Sequence, residues 1–378
     1  MLFWADRNLR LLFGSLLLWM VGVGLYEGLI PIYARQLGAS PVQLGGLFTL
    51  RSLALLGGFI IGWMVADWLS RRTLMLASWC AGLPVPLMLA AAPTYIWLLP
   101  GLMLYELTFF ALPAVHAYIT ERVPASELAS AFGAMGTVTS VGFLISPAAG
   151  GAMADRWGIR TVLVVAFVLF LLSTALIFRL EQSGPGTIPA PGGGRLSVRD
   201  LAPVAPALAV YVAANFMIVV TVPFLPPFLR ETRGLSLSEI GLLGSLQAVG
   251  AVLFTPLAGR LGDRWGRAPT LAGQAGVWVA GIVLTAYAPR SLLPAAAMLR
   301  CRSPLATLTQ AMVGASAPPA ILGRAFALAG ILSAGLAAVG AFVGGYAYRA
   351  DAAYPLVVSA GTGIAIMGAL LVPALRRL

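Results

Sequence analysis

Five ionisable side chains stand inside otherwise apolar runs of this chain: Glu27, Arg51, Glu106, Arg300 and Arg302. A charge in hydrocarbon costs about 2.5 to 3.5 kcal/mol on insertion scales, so such residues face a partner or a water-filled cavity. Two chemistries follow. A carboxylate in low dielectric exchanges a proton as its surroundings change, and a guanidinium pairs with it or binds an anionic group. At about 1.5 Å per helical residue, Glu27 and Arg51 lie roughly 6 to 9 Å from the middle of their runs at similar heights, where they can pair. Glu106 and Arg300 fall near the middle of theirs. Arg300 and Arg302 are about 200° apart around a helix and cannot share a face. Arg300 is assigned to a cavity, and Arg302 to a neighbouring helix or a carbonyl. Pro304 cannot bond the carbonyl of Arg300, which then needs a donor nearby.

The elements that position these charges are apolar helices. Of 378 residues 60% are hydrophobic and 10% charged, against about 25% charged in soluble domains. Apolar runs occur at about 9–34, 44–66, 73–92, 96–120, 130–153, 160–179, 205–229, 240–261, 270–288, 291–315, 325–347 and 354–374. Backbone polar groups in lipid must be satisfied within the segment, so each run reads as a helix. The basic flank and long first run, with no small-residue cleavage site, read as a retained helix. With the N-terminus inside, fourteen loop arginines are cytoplasmic and seven are not, which predicts both termini inside. The net charge of +11 comes from arginines scattered singly, without the basic face of a nucleic-acid binder. Cys80 and Cys301 show no metal spacing or disulfide framework. One histidine, His116, rules out a His-based zinc site, and no phosphate-binding Gly-rich loop points to ATP.

The Gly/Pro-rich stretch 182–203 reads as a linker between two six-helix halves, 1–181 and 204–378. The halves repeat one another. A shift of 196 residues lays Leu37–Leu47 over Arg233–Leu243, pairing Gly38 with Gly234, Ser40 with Ser236 and Gly45 with Gly241. It also pairs Pro31 with Pro227 and Asp67 with Asp263. A shift of 194 lays the segment from Val123 over that from Ala317, Gly150 and Gly151 over Gly344 and Gly345, and Glu106 over Arg300. A duplicated six-helix unit is the build of a secondary transporter, with its site between the repeats.

Gly259, Asp263, Gly266 and Arg267 form G-x-x-x-D-x-x-G-R between the eighth and ninth runs, which resembles the signature loop of the major facilitator superfamily. The loop between the second and third runs keeps Asp67, Arg71 and Arg72, with Trp63 and Ser70 at glycine positions. A carboxylate beside a helix N-terminus is favoured by the dipole, and arginines can anchor such a loop. A third DRWG, Asp155 to Gly158, reads as a tight turn. Gly142, Pro147, Gly150 and Gly151 in the fifth run are similar to the antiporter motif of drug exporters in that superfamily, with Ser146 and Met135 at glycine positions. Small residues at this spacing equally serve close helix packing.

The resemblance implies an all-α membrane protein of twelve transmembrane helices in two pseudo-symmetric bundles. It implies loops that latch one conformational state, and a central cavity lined by helices 1, 4, 7 and 10. Glu106 and Arg300 would then confront each other across the path, with Tyr105 and Asn215 as further lining residues. Glu27 and Glu106 are the proton-coupling candidates, and Arg51, Arg300 and Arg302 the candidates for cargo. The expected function is alternating-access transport of a small molecule, as proton-coupled efflux of amphipathic compounds or as proton-coupled transport of an organic anion or zwitterion. A receptor or an enzyme on the same fold is the non-transport alternative. Protons, a small-molecule substrate and the bilayer are the expected partners, with no cofactor, metal or nucleic acid. The expected state is a monomer in the inner or plasma membrane of a prokaryotic cell.

Overall fold

The computed structural model describes residues 6–65, 69–181, 203–318 and 321–370. Asp67 and nearly all of the linker at 182–203 lie outside them. Among the described residues every regular element is helical. Nine helical stretches among the described residues, from Arg7–Gln36 to Ala325–Ala350, are long and apolar enough to cross a membrane, and Ala205–Val219 and Tyr354–Leu370 are shorter apolar helices.

Five runs expected as continuous helices are interrupted, each at the residue four before a proline; the third divides into Arg71–Gly82 and Val85–Ala90, with Gly82 four before Pro86. The first run is Arg7–Tyr26, a 3₁₀ turn Glu27–Leu29, then Ile30–Gln36, and Pro31 lies four residues after Glu27. The fourth is Leu98–Leu107, a 3₁₀ turn Thr108–Ala111, then Leu112–Arg122, with Pro113 four after Phe109. The seventh stops at Val219, four before Pro223, and resumes at Leu225–Pro227 and a π turn Phe228–Thr232. The tenth divides into Leu293–Leu299 and Ser303–Ser316, and Arg300 stands four before Pro304. Proline lacks the N–H for this bond and its ring crowds the carbonyl it would have joined. The breaks therefore fall on Glu27, beside Glu106, and on Arg300.

The chain packs as two compact units. One comprises Met1–Ala39, Leu50–Ala190 and Leu235–Ser245; the other comprises Ser40–Thr49, Pro191–Gly234 and Leu246–Leu378. In the first, the helix Arg7–Tyr26 packs on Leu128–Trp157 and Ile159–Phe178. Trp19 stacks on Phe170 with centroids 3.8 Å apart, and Trp79 Nε1 donates to Ser173 Oγ at 3.0 Å. In the second, Arg267–Tyr287 packs on Tyr354–Leu370. There Trp278 Nε1 donates to Ser359 Oγ at 3.0 Å, and that hydroxyl donates to the Met217 carbonyl at 2.6 Å. A buried indole N–H needs an acceptor. Both units supply it in the same way, from a serine in the last helix of the repeat to a tryptophan in its third.

Candidate functional site

Three of the five interior charges meet in the first unit. Arg51 reaches Glu27 through Nη1, 2.7 Å from Oε1, and donates from Nε to Glu106 Oε1 at 2.5 Å. The placement begins with glycine. Gly58 and Gly62 on the helix Pro41–Val65 run against the Glu106–Phe110 backbone: a Cβ would lie 2.8 Å from the Glu106 carbonyl oxygen at Gly58 and 2.6 Å from that of Phe110 at Gly62. Only glycine allows backbones this close. Arg51 precedes Gly58 by two helical turns and so shares its face. The 3₁₀ turn after Leu107 is held by Thr108 Oγ1 donating to the Tyr105 carbonyl at 2.6 Å and by Ser78 Oγ donating to that of Thr108 at 2.8 Å. On the other side, the break at Glu27 ends one helix beside Arg51. Glu106 keeps 9% of its side chain exposed and Glu27 30%, so the cluster has an inner and an outer carboxylate.

The Glu27 to Arg51 ion pair is the one expected from matching heights. Glu106, which the sequence sets opposite Arg300, has Arg51 as its ion-pair partner. Counting residues along separate straight helices hides that one long guanidinium spans both depths. Arg300 is buried at the break in the tenth run, and Gln247 Nε2 donates to its carbonyl at 2.8 Å, the local donor that Pro304 requires. Arg302 is exposed at the N-cap of Ser303–Ser316. Tyr105 packs edge-on against Phe109 and lines a pocket with Trp19, Trp79 and Met135. Asn215 Nδ2 donates to the Tyr211 carbonyl of its own helix at 2.9 Å. His116 meets the Phe132 ring edge-on.

In the loop motifs, Arg71 is buried with Nε 3.1 Å from Glu121 Oε1, and Arg72 Nη2 donates to the Phe178 carbonyl at 2.8 Å. Ser70, at a glycine position of the motif, caps its helix by accepting from the Thr73 N–H at 3.2 Å. Asp263 is exposed, and Gly266, with φ +95°, joins Leu237–Trp265 to Arg267–Tyr287. The fifth-run motif packs: Gly142 lies against Met20, Gly150 against the Leu25 carbonyl, and Pro147 and Gly151 against Leu237 and Gly241. The DRWG at Asp155 makes the expected tight turn, with Gly158 at φ +83°. It also does what the sequence did not disclose: Asp155 accepts the N–H groups of Leu237 at 3.0 Å and Ser238 at 2.7 Å. Gly58-x-x-x-Gly62 was a legible signal for the close approach that places Arg51.

The family model described as Major Facilitator Superfamily matches residues 11–220 and again 207–378. Multidrug resistance protein MdtG of Klebsiella pneumoniae (strain 342) is 31% identical over 258 residues, 63% of this chain and 61% of its own length. The chain thus spans about three fifths of that relative. MdtG of Citrobacter koseri is 30% identical over 280 residues, covering 69% of this chain and 67% of its own. The crystal structure of the nucleoside transporter NupG superposes with a TM-score of 0.81 over 99% of this chain and 100% of that one. At 14% identity this is a likeness of fold.

Proposed function

The chain belongs to the Major Facilitator Superfamily, as a multi-pass membrane protein, and from that premise we propose that it is a carrier and not an enzyme: a proton-coupled exporter of amphipathic compounds working by alternating access. The observation that carries this reading is Arg51 held between Glu27 and Glu106. Two carboxylates and one guanidinium sum to one net negative charge when all are ionised, so a single proton neutralises the cluster. A charged cluster in low dielectric is costly and a neutral one much less so. Proton uptake therefore changes which packing of the surrounding helices is favoured. The half-exposed Glu27 is the entry point, and the buried Glu106 senses the change through Arg51.

The remaining organisation belongs to the same reading. Twelve spans form two six-helix bundles, 1–181 and 204–378, joined by the 182–203 linker, with both termini on the cytoplasmic side of a bacterial inner membrane and the monomer as the working unit. The loops at Asp67, Arg71 and Arg72 and at Gly259, Asp263, Gly266 and Arg267 act as latches. Tyr105, with its aromatic pocket, and Asn215 contact cargo. Efflux is supported by the name of the MdtG relatives at about 30% identity.

The test is flux in proteoliposomes with an imposed pH gradient. Glu106→Gln removes the titrating group at constant size, and is expected to abolish uphill transport while leaving downhill exchange. Unchanged uphill transport in that variant takes Glu106 out of the mechanism.

A further inference from the structure

Two of the arginines inside the apolar runs, Arg51 and Arg300, are treated differently. Arg51 has two carboxylates, whereas Arg300, 2% exposed, has none among the described residues, and its Nε is buried without a hydrogen-bond partner there. The site around it is built. Its carbonyl is fixed by Gln247. Its stem crosses Gly281, where a Cβ would lie 2.7 Å from Arg300 Cγ, so that position has to stay without a side chain for the guanidinium to sit where it does. Its flanks, Leu299 and the buried Cys301, are apolar. The half-helix Ser303–Ser316 starts three residues after Arg300, with no side-chain cap on its first-turn amides.

Arginine cannot shed its proton to relieve this. A buried unpaired ion costs several kcal/mol even after relaxation, and a counter-charge has to offset it. We propose that Arg300, at the break of the tenth run, binds the oxyanion group of an amphipathic ligand: a carboxylate, sulfonate or phosphate ester with an apolar tail. The planar guanidinium fork matches an oxyanion, and the uncapped start of the next half-helix is favourable for negative charge. The apolar flanks favour a ligand with a hydrocarbon part over a bare inorganic ion. This rests on the carrier reading above and specifies the cargo as an acidic amphipath, or a zwitterion presenting its acidic end.

The test is thermal unfolding of the full chain in neutral detergent, titrated with octanoate, octanol or octyltrimethylammonium. Octanoate is expected to raise the Tm of the natural protein, and octanol and the cation to leave it flat. Arg300→Gln should weaken octanoate at least tenfold, and Arg349→Gln, at an exposed arginine, should not. Gly281→Ala keeps the charge but displaces its stem, and should also weaken octanoate. An octanoate shift of full size in Arg300→Gln, or an equal one from octanol, overturns the proposal. If Arg300→Gln does not fold, Arg300→Lys replaces it: the charge stays and the fork goes, and undiminished octanoate binding overturns the site. Dioctanoyl phosphatidylglycerol separates the two sources of such a group; binding of that lipid which octanoate cannot displace assigns Arg300 to a headgroup and ends the cargo reading. None of these readouts requires transport. Octanoate binding without any flux would therefore leave the site standing and sink the carrier.

Discussion

Two corners of the molecule use the same glycines and different polar chemistry. In the first unit the helix Leu128–Trp157 meets the start of Leu237–Trp265; in the second, Leu322–Ala350 meets the start of Pro41–Val65. The two repeat registers superpose them. Gly151 and Gly241 correspond to Gly345 and Gly45, and in both corners an added Cβ would run into the facing backbone. Both helix starts carry a capping box. Ser236 accepts from the Glu239 N–H while Glu239 accepts from that of Ser236, and Ser40 and Gln43 exchange the same two bonds. The fastening then diverges. Asp155 takes two N–H groups of the facing helix, and its counterpart is the exposed Arg349. The N–H of Leu237 has no counterpart at all, since the matching residue is Pro41. Ser245 Oγ accepts the Ala148 N–H at 3.1 Å beside Pro147, where the helix bonding is interrupted; Thr49, beside Ala341 in an unbroken helix, donates to the Ala338 carbonyl at 2.9 Å instead. The close approach is the part common to both repeats, and charge has been added to one of them.

The largest expected effect tests the common part. Gly151→Ala sets a methyl group against the Leu237 carbonyl, and Gly345→Ala sets one 2.9 Å from that of Pro41. Backbone cannot yield as a flexible side chain can, so both are expected to lower stability by about 1 to 3 kcal/mol, as overpacked cores do, read as a lower Tm in detergent. A harmless Gly345→Ala beside a damaging Gly151→Ala would show that the corners are not equivalent in packing.

A smaller effect tests the difference. Asp155 sits in the last turn of its own helix, where a carboxylate opposes the dipole. Its two bonds to the facing helix start compensate. Asp155→Asn keeps the size and loses the charge, and should cost about 0.5 to 1 kcal/mol, the range for a cap that is partly open to solvent. Arg349→Gln should change the Tm little. Equal losses would mean that the charge at Asp155 is incidental to the fastening.

Sequence alone reached the helical membrane fold and the repeat, because hydropathy and spaced glycines are local properties of the chain. Gly45, Gly151, Gly241 and Gly345 are repeated in the sequence itself. The pairing of Arg51 with Glu27 was legible from depth. Its second bond, to Glu106, was not, because the helix approach that permits it depends on Gly58 and Gly62 and on a 3₁₀ turn that straight-helix counting omits. The breaks are legible from Pro31, Pro86, Pro113, Pro223 and Pro304 by stepping back four residues. Asp155 reads in the sequence only as part of a turn, since its partners lie 82 and 83 residues away and nothing nearby in sequence announces them.

The smallest effect is the transplant of the charged fastening to the second corner. Arg349→Asp alone puts a carboxylate beside a helix whose first residue, Pro41, has no N–H to give, and it removes a cation from the last turn of its own helix, where the dipole favours one. Pro41→Leu alone supplies the N–H but forfeits the stiffness of proline, worth about 0.4 to 1 kcal/mol. Each single change should therefore be neutral or slightly destabilising. Together they recreate the Asp155 and Leu237 pair, and the double-mutant cycle should show a favourable coupling of about 0.5 kcal/mol. A coupling of zero, with both variants folded, would mean that the Asp155 bonds depend on the missing N–H at Pro147 as well as on the two residues that make them. Adding Ala341→Pro to the pair is then the variant that separates a local cap from one that needs a proline in the presenting helix.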